Sequence, residues 1–159
     1  MRLRWIYIAL ITAIMLSACT NQADRSSQIN IRDAWARPAT GMNSDSASMD
    51  HNNMSGSVSA AYMLIKNTGE TADRLLGASS DACQAVELHT SVTKDGVTSM
   101  LPVDYVDVPA NGEAELKPGS YHIMLIGLKA DLKPGDKIKL RLEFKNASPI
   151  DLEVEVREP

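Results

Sequence analysis

The sequence KIKLRLEFK at positions 137–145 alternates strictly between charged and apolar residues. Side chains of a β-strand point alternately to the two faces of its sheet, so this period of two predicts a strand with one buried and one solvated face. The same alternation returns in IDLEVEV at positions 150–156, and Ser148-Pro149 separates the two segments. Because such residues interrupt strands and favour turns, the two segments predict an antiparallel hairpin at the C-terminus.

Seven further segments with strand character precede this hairpin. Most of them are separated by turn residues such as Asn67-Thr68-Gly69 and Asp95-Gly96. No segment shows the longer period of an amphipathic helix. About eight or nine short strands in one domain predict an all-β protein built as an antiparallel β-sandwich. The seven candidates are residues 29–35, 57–66, 74–78, 85–92, 97–103, 114–117 and 121–128.

The sequence of the N-terminal segment predicts an export signal that is not part of the folded domain. Arg2 and Arg4 precede an apolar run at residues 5–16, which is short for a transmembrane helix. The run ends in LSAC at positions 16–19, the pattern that lipoprotein signal peptidases read. We therefore expect the protein to be exported and held by a lipid on the extracytoplasmic side of a membrane, in the periplasm or at the cell surface. The predicted parts are a signal peptide at residues 1–18, a lipidated Cys19, a tether at residues 19–28 and a domain at residues 29–159.

Composition and charge narrow the function. The 159 residues carry a formal net charge of −4 at pH 7, which argues against nucleic acid as a partner because phosphate binding needs a basic face. The chain has no nucleophile elbow, HExxH motif or phosphate loop, so we do not expect an enzyme. It contains 8 methionines, 3 histidines and 2 cysteines. With Cys19 lipidated, Cys83 is a lone thiol, and we expect it to be buried in the core, as we expect of Met63.

The Asp95-Gly96 dipeptide sets a register for the strands on either side of it. Asp-Gly is typical of a type I′ hairpin turn, and a two-residue turn places Ser91 opposite Met100. His89 is then diagonal to Met100 on the same sheet face, within reach of a long side chain. Pro102 lies opposite His89 at a non-hydrogen-bonded position, where its missing N–H breaks no bond to this partner. On its other side, the strand that carries Pro102 should therefore be a sheet edge or contain a bulge, unless the strand ends near Pro102.

A second pair of the same residue types occurs at His122 and Met124. These residues are one position apart in a strand candidate, so their side chains point to the same face. Together with His89 and Met100 they supply two imidazoles and two thioethers. Thioether sulfur is soft and uncharged, so this donor set prefers Cu(I) to Zn²⁺, Mg²⁺ or Ca²⁺. Weak, exchangeable binding of this kind suits a carrier of copper outside the cytoplasm.

In this spacing the sequence resembles the periplasmic copper chaperones of the PCu(A)C type. Ten residues separate His89 from Met100, and twenty-one separate Met100 from the His-x-Met at positions 122–124, as in the pattern of that family. The resemblance covers roughly residues 29–157, essentially the whole predicted domain. Its other matching segments are DAWARP at 33–38, AAYMLIKNTG at 60–69, AVELH at 85–89 and LKPGSYHIMLIGLK at 116–129.

The resemblance implies a fold, a cargo and a partner. It implies a cupredoxin-like β-sandwich that hands copper to an acceptor protein, typically the copper centre of a terminal oxidase such as cytochrome c oxidase. One position departs from the family, because many members have an extra Met two residues after the first His and this chain has Ser91 there. Any auxiliary ligation from that position is lost. The ligands that the resemblance implies for Cu(I) are His89, Met100, His122 and Met124.

The segment at residues 40–56, TGMNSDSASMDHNNMSG, differs in composition from the rest of the chain. It has no branched apolar residues and predicts a loop. Two interpretations stay open: a solvated spacer with incidental methionines, or a second copper-capturing arm that uses the same soft donors. The candidate donors in it are Met42, Met49, His51 and Met54.

Three other functions can be set against copper delivery. A blue-copper electron carrier needs a Cys thiolate beside its two histidines, and no cysteine occurs in the segment that carries His122 and Met124. The sequence leaves two alternatives open. One is a lipid-anchored protein that sequesters copper for resistance, and the other is a metal-free β-sandwich used in adhesion or assembly.

Overall fold

A computed structural model describes residues 27–40 and 57–159 of the chain. Within these ranges the protein forms ten β-strands and no helix, which confirms the all-β class. No helix long and apolar enough to span a membrane occurs in this described part. The strands are β1 (Ile29–Ala36), β2 (Val58–Asn67), β3 (Asp73–Ser79), β4 (Ala85–Lys94), β5 (Val97–Pro102), β6 (Val106–Val108), β7 (Gly112–Leu116), β8 (Tyr121–Ile126), β9 (Lys137–Phe144) and β10 (Ile150–Val156).

The strands pair in the order β5-β4-β8-β2-β1-β10-β9-β3-β6. Strand β2 pairs with β8 through its first half and with β7 through its second half. All of these pairs are antiparallel except β1 with β10. Parallel neighbours cannot be joined by a tight turn, and here nearly the whole domain lies between the two strands. The predicted antiparallel sandwich is therefore confirmed, with one parallel pair that joins the first and last strands.

The C-terminal hairpin forms as predicted. Leu140 of β9 lies opposite Leu152 of β10, and the side chains along β9 are alternately exposed and buried. On the solvated face, Lys137 pairs with Glu153 across the two strands at 2.7 Å. The apolar face joins a core shared by most strands of the sandwich. Its fully buried members include Ile65, Leu75, Leu116, Ile123, Leu125, Leu142, Val108, Val154 and Val156.

Two residues assigned to the core from sequence are buried there. Met63 is 2% exposed and Cys83 is 4% exposed, which confirms both predictions. Cys83 has no disulfide partner within the described ranges. Burial raises the pKa of its thiol, so Cys83 stays a protonated, apolar residue.

The β4–β5 hairpin has the predicted turn and register. Asp95 and Gly96 have φ angles of 54° and 79°, the left-handed values that a type I′ turn requires. Ser91 lies opposite Met100, and His89 lies opposite Pro102. Strand β5 is at the edge of the sheet, so the missing N–H of the proline leaves no neighbour unsatisfied.

Besides the parallel pair, two further features of the fold were not predicted from sequence. Strand β6 is only three residues long and ends just before Pro109, so it carries too little alternation to be recognised. Strand β1 has a bulge between Arg32 and Trp35, with Asp33 in the left-handed region at φ 50°. The extra residue changes the face to which later side chains point, and it brings Trp35 opposite Tyr62.

Candidate metal centre

The centre of the candidate site is a pair of histidines on adjacent strands. His89 of β4 lies directly opposite His122 of β8, and their ring centroids are 5.8 Å apart. Both residues are buried, His89 at 8% exposed and His122 at 3%. Burying two polar rings side by side requires compensation from hydrogen bonds or a bound ligand.

The two methionines lie on the same sheet face as the histidines. Met124 is two residues after His122 in β8 and is partly buried between β4 and β2. Met100 of β5 is opposite Ser91, two residues after His89, and is 43% exposed at the sheet edge. Strands β5, β4 and β8 thus bring all four side chains to one face. Their role as metal ligands stays a prediction.

One nitrogen of His122 is held by a hydrogen bond, and the other has no partner within residues 27–40 and 57–159. Its Nδ1–H donates a hydrogen bond to the carbonyl oxygen of Ser120 at 3.0 Å. We assign the proton to Nδ1 because a carbonyl oxygen can only accept. The buried Nε2 therefore carries a lone pair, and it has no hydrogen-bond partner among the described residues.

In His89 the two ring nitrogens have the opposite roles, since Nε2 is the one that makes a hydrogen bond. Its Nε2 lies 2.8 Å from Oε2 of Glu87 and donates its proton to that carboxylate. Its buried Nδ1 has no partner in the part of the chain that the structure describes. Among the described residues, each imidazole thus keeps one unpaired nitrogen lone pair away from water, an arrangement that is costly unless something binds there.

The electrostatics of His122 favour the neutral ring. Burial lowers its pKa below the ordinary value for histidine, and the nearby His89 adds to this effect. The hydrogen bond to Ser120 acts in the opposite direction without reversing the shift. A neutral imidazole is the form that can donate its lone pair to a metal ion.

Aromatic side chains continue the row of rings beyond the histidines. The ring of Tyr62 on β2 is 6.4 Å from that of His122, and the ring of Trp35 on β1 is 4.7 Å from that of Tyr62. The guanidinium of Arg157 lies 5.5 Å from the centroid of the Trp35 ring. The rings of Tyr62 and Trp35 thus extend the row from the histidine pair across β2 to β1.

Sequence reasoning did not identify Glu87, Tyr62 or Trp35 as neighbours of the site. Glu87 carried a usable signal, because it is two residues before His89 and so shares its face of β4. The positions of Tyr62 and Trp35 depend on the pairing of β8 with β2 and on the bulge in β1. Neither feature has a local sequence signal.

The donor types also limit what the site can hold. In residues 27–40 and 57–159, no three His, Cys, Asp or Glu side chains are grouped in a way that could hold a metal ion. If His89 and His122 hold a metal ion together with the thioethers of Met100 and Met124, that donor set favours Cu(I) over Zn²⁺.

Some predicted residues lie outside the described ranges. These are the proposed lipidation site Cys19 and the possible auxiliary donors Met42, Met49, His51 and Met54.

Comparisons of sequence relate the chain to bacterial proteins. Residues 29–156 match the LpqE-like family of lipoproteins. Lxx21020 of Leifsonia xyli subsp. xyli, named as a candidate lipoprotein, is 38% identical over 102 residues, or 64% of this chain and 61% of that protein. The match thus spans less than two thirds of that relative's length. The uncharacterised protein RP573 of Rickettsia prowazekii is 31% identical over 136 residues, or 81% of this chain and 68% of that protein.

Two solved structures share the fold. The copper-bound PCuAC domain from PmoF2 is 21% identical with a TM-score of 0.60, covering 84% of this chain and 96% of that domain. The solution structure of Cu(I)-bound DR1885 from Deinococcus radiodurans is 23% identical with a TM-score of 0.58, covering 88% of this chain and 85% of that protein. At these identities the likeness establishes the β-sandwich fold.

Proposed function

The chain belongs to the LpqE-like family of lipoproteins, and we propose that it is a copper chaperone on the extracytoplasmic side of a membrane. The resemblance to PCu(A)C-type chaperones drawn from the sequence is confirmed at the level of family and fold. The proposal adds three things: Cu(I) as the cargo, a set of ligands for it, and an acceptor protein. The proposed ligands are His89, Met100, His122 and Met124.

The observation that carries this proposal is the pair of unpartnered ring nitrogens. Nδ1 of His89 and Nε2 of His122 are buried on one sheet face without hydrogen-bond partners among the described residues. Thioethers of Met100 and Met124 share that face. All four donors are uncharged, so they favour a soft monovalent ion such as Cu(I) over hard or highly charged ions. The copper-bound PCuAC domain of PmoF2 has the same fold, which supports this assignment.

The different exposure of the ligands suits transfer rather than permanent retention. The two histidines are buried, whereas Met100 is 43% exposed on the edge strand β5. An incoming donor from an acceptor protein can displace an exposed thioether first and then take the copper by stepwise ligand exchange. We propose a terminal oxidase subunit, such as that of cytochrome c oxidase, as the acceptor.

The N-terminal segment and the Met-rich segment complete the proposal. Membership of a lipoprotein family supports a lipid anchor on Cys19. The tether would keep the domain close to membrane-bound acceptors. The four auxiliary donors in residues 40–56 are proposed as a second capture arm, with the spacer as the alternative.

Copper transfer tests delivery. The Cu(I)-loaded protein is mixed with an apo copper domain of a terminal oxidase and, in parallel, with a copper chelator of matched affinity. We expect transfer to the oxidase domain to be faster than transfer to the chelator, because docking brings the ligands together. Equal rates would indicate release into solution and would favour sequestration of copper over delivery.

A further inference from the structure

We propose that Glu87 is a positioning residue that decides which nitrogen of His89 meets the copper. The inference rests on the function proposed above and adds a residue outside the four ligands. According to this inference, Glu87 holds the proton of His89 on Nε2, so that Nδ1 faces the metal. Ser120 holds the proton of His122 on Nδ1, so that Nε2 faces the metal.

The placement of Glu87 in β4 makes this contact direct. Glu87 and His89 are two residues apart, so both side chains lie on the site face of the strand. Oε2 of Glu87 is 2.8 Å from Nε2 of His89. The carboxylate side chain is 48% exposed, whereas that of His89 is 10% exposed. The half-exposed Glu87 carboxylate thus orients the nearly buried ring of His89.

The two histidines differ because their hydrogen-bond acceptors lie on different sides of their rings. Glu87 is reached by Nε2 of His89, while the Ser120 carbonyl is reached by Nδ1 of His122. The nitrogens left unpaired within the described part of the chain are correspondingly Nδ1 and Nε2. The site is therefore asymmetric, with one ligand nitrogen of each kind.

Glu87 has a second effect on the same site through its charge. Two imidazoles and two thioethers leave the single positive charge of Cu(I) uncompensated. Glu87 also lies opposite Met124 in the β4–β8 register, so the residue is a neighbour of two of the four proposed ligands. A carboxylate that accepts the second N–H of a ligating histidine fixes the ring and makes it a better donor, and its loss lowers metal affinity by about 10- to 100-fold.

The test compares three variants in the full-length chain. Glu87→Ala removes the acceptor and the charge, Glu87→Gln removes the charge but keeps an amide oxygen that can accept the bond, and Glu143→Ala removes an exposed carboxylate from β9 as a matched control. Long-range nitrogen–proton NMR of the copper-free protein reports the tautomer of each histidine at mildly alkaline pH, where ordinary imidazoles are neutral. Competition with a Cu(I) chelator reports affinity.

We expect wild-type His89 in the Nε2–H form and His122 in the Nδ1–H form. Glu87→Ala should mix the tautomers of His89 and lower Cu(I) affinity by about 10- to 100-fold, with Glu87→Gln intermediate in affinity. Wild-type His89 in the Nδ1–H form would overturn the inference, whether or not the variants fold. So would a Glu87→Ala protein with the affinity of Glu143→Ala. A wild-type protein that binds no Cu(I) would instead contradict the proposed function, and this role with it.

Discussion

His89 and His122 lie directly opposite each other on β4 and β8, 5.8 Å apart between ring centroids, and each has one buried nitrogen without a partner among the described residues. The free nitrogens differ, because Glu87 and Ser120 accept from different positions of the two rings. A fold that leaves two adjacent lone pairs buried gives up hydrogen bonds that it could have made to water. Binding of a metal ion between them would offset that cost.

The turn at Asp95-Gly96 should control the position of Met100. Gly96 has a φ of +79°, and a Cβ there meets no atom within 4 Å, so the cost of Gly96→Ala is backbone strain alone. We expect a loss of about 1–2 kcal/mol in unfolding free energy and weaker Cu(I) binding, measured by thermal denaturation and chelator competition. Gly77→Ala is the control, because a Cβ at Gly77 also meets nothing within 4 Å and the residue has no positive φ. Equal effects of the two variants would contradict a role for the turn.

Ser91 lies opposite Met100 in a non-hydrogen-bonded pair, where facing side chains are close. Ser91→Met would place a third thioether beside the proposed site. We expect tighter Cu(I) binding and slower release to a chelator, because one more soft donor is within reach. Val92→Met, at an exposed position opposite Ser99 on the other face of β4, is the control and should leave both quantities unchanged. An effect of similar size from Val92→Met would point to a general influence of added methionine.

The local part of this arrangement could be predicted from the sequence, and the long-range part could not. Asp95-Gly96 fixes the β4–β5 register through two residues of turn chemistry, so the placement of Met100 relative to His89 follows from sequence. The pairing of His89 with His122 joins strands that are separated by three others along the chain, and no local pattern encodes that register. Donor chemistry and the chaperone resemblance, not periodicity, joined His122 to the same predicted site.

The positions of two residues near the site, Tyr62 and Trp35, also could not be predicted from local sequence. Tyr62 packs near His122 because β2 pairs with β8, and Trp35 joins it because a bulge at Asp33 shifts the register of β1. This bulge places Asp33 in a left-handed conformation, which Asp tolerates without requiring it. Sequence patterns therefore identified β1 but not the direction of its side chains.

Asp73 should make the stability of the fold depend on pH. Burial alone would raise the pKa of this carboxyl, but hydrogen bonds from the Ser27 hydroxyl and the backbone N–H groups of Arg74, Asn146 and Ala147 outweigh burial and lower it. Because the pKa is lowered in the folded state, the carboxylate stabilises the fold above the pKa of the unfolded chain. This contribution is lost as the pH falls through the folded-state pKa.

Asp73→Asn is expected to lower the unfolding free energy by about 1–3 kcal/mol at neutral pH, measured by chemical denaturation. The difference from the wild-type protein should narrow in acid, where the wild-type carboxyl is protonated. Asp151→Asn, at an exposed carboxylate paired with Arg141, is the control and should change stability little. A difference between Asp73→Asn and wild type that stays constant into acid would contradict the argument.

Deleting residues 42–54 should separate the two interpretations of the Met-rich segment. If it is a second capture arm, the deletion lowers the number of Cu(I) ions bound per chain while the β-sandwich keeps its circular dichroism spectrum. The measurement is copper stoichiometry after gel filtration. Unchanged stoichiometry would identify the segment as a spacer.

The most direct test of the copper site is a Cu(I) competition titration of the wild-type protein and the double variant His122→Ala with Met124→Ala. Met100→Ala accompanies it, because that side chain is 43% exposed and its removal should not disturb folding. Thr93→Ala with Thr98→Ala serves as the control on the same sheet face. We predict one Cu(I) at the site in the wild-type and control proteins, weaker binding in Met100→Ala and none at this site in the double variant. Unchanged Cu(I) affinity in a folded double variant would contradict the account.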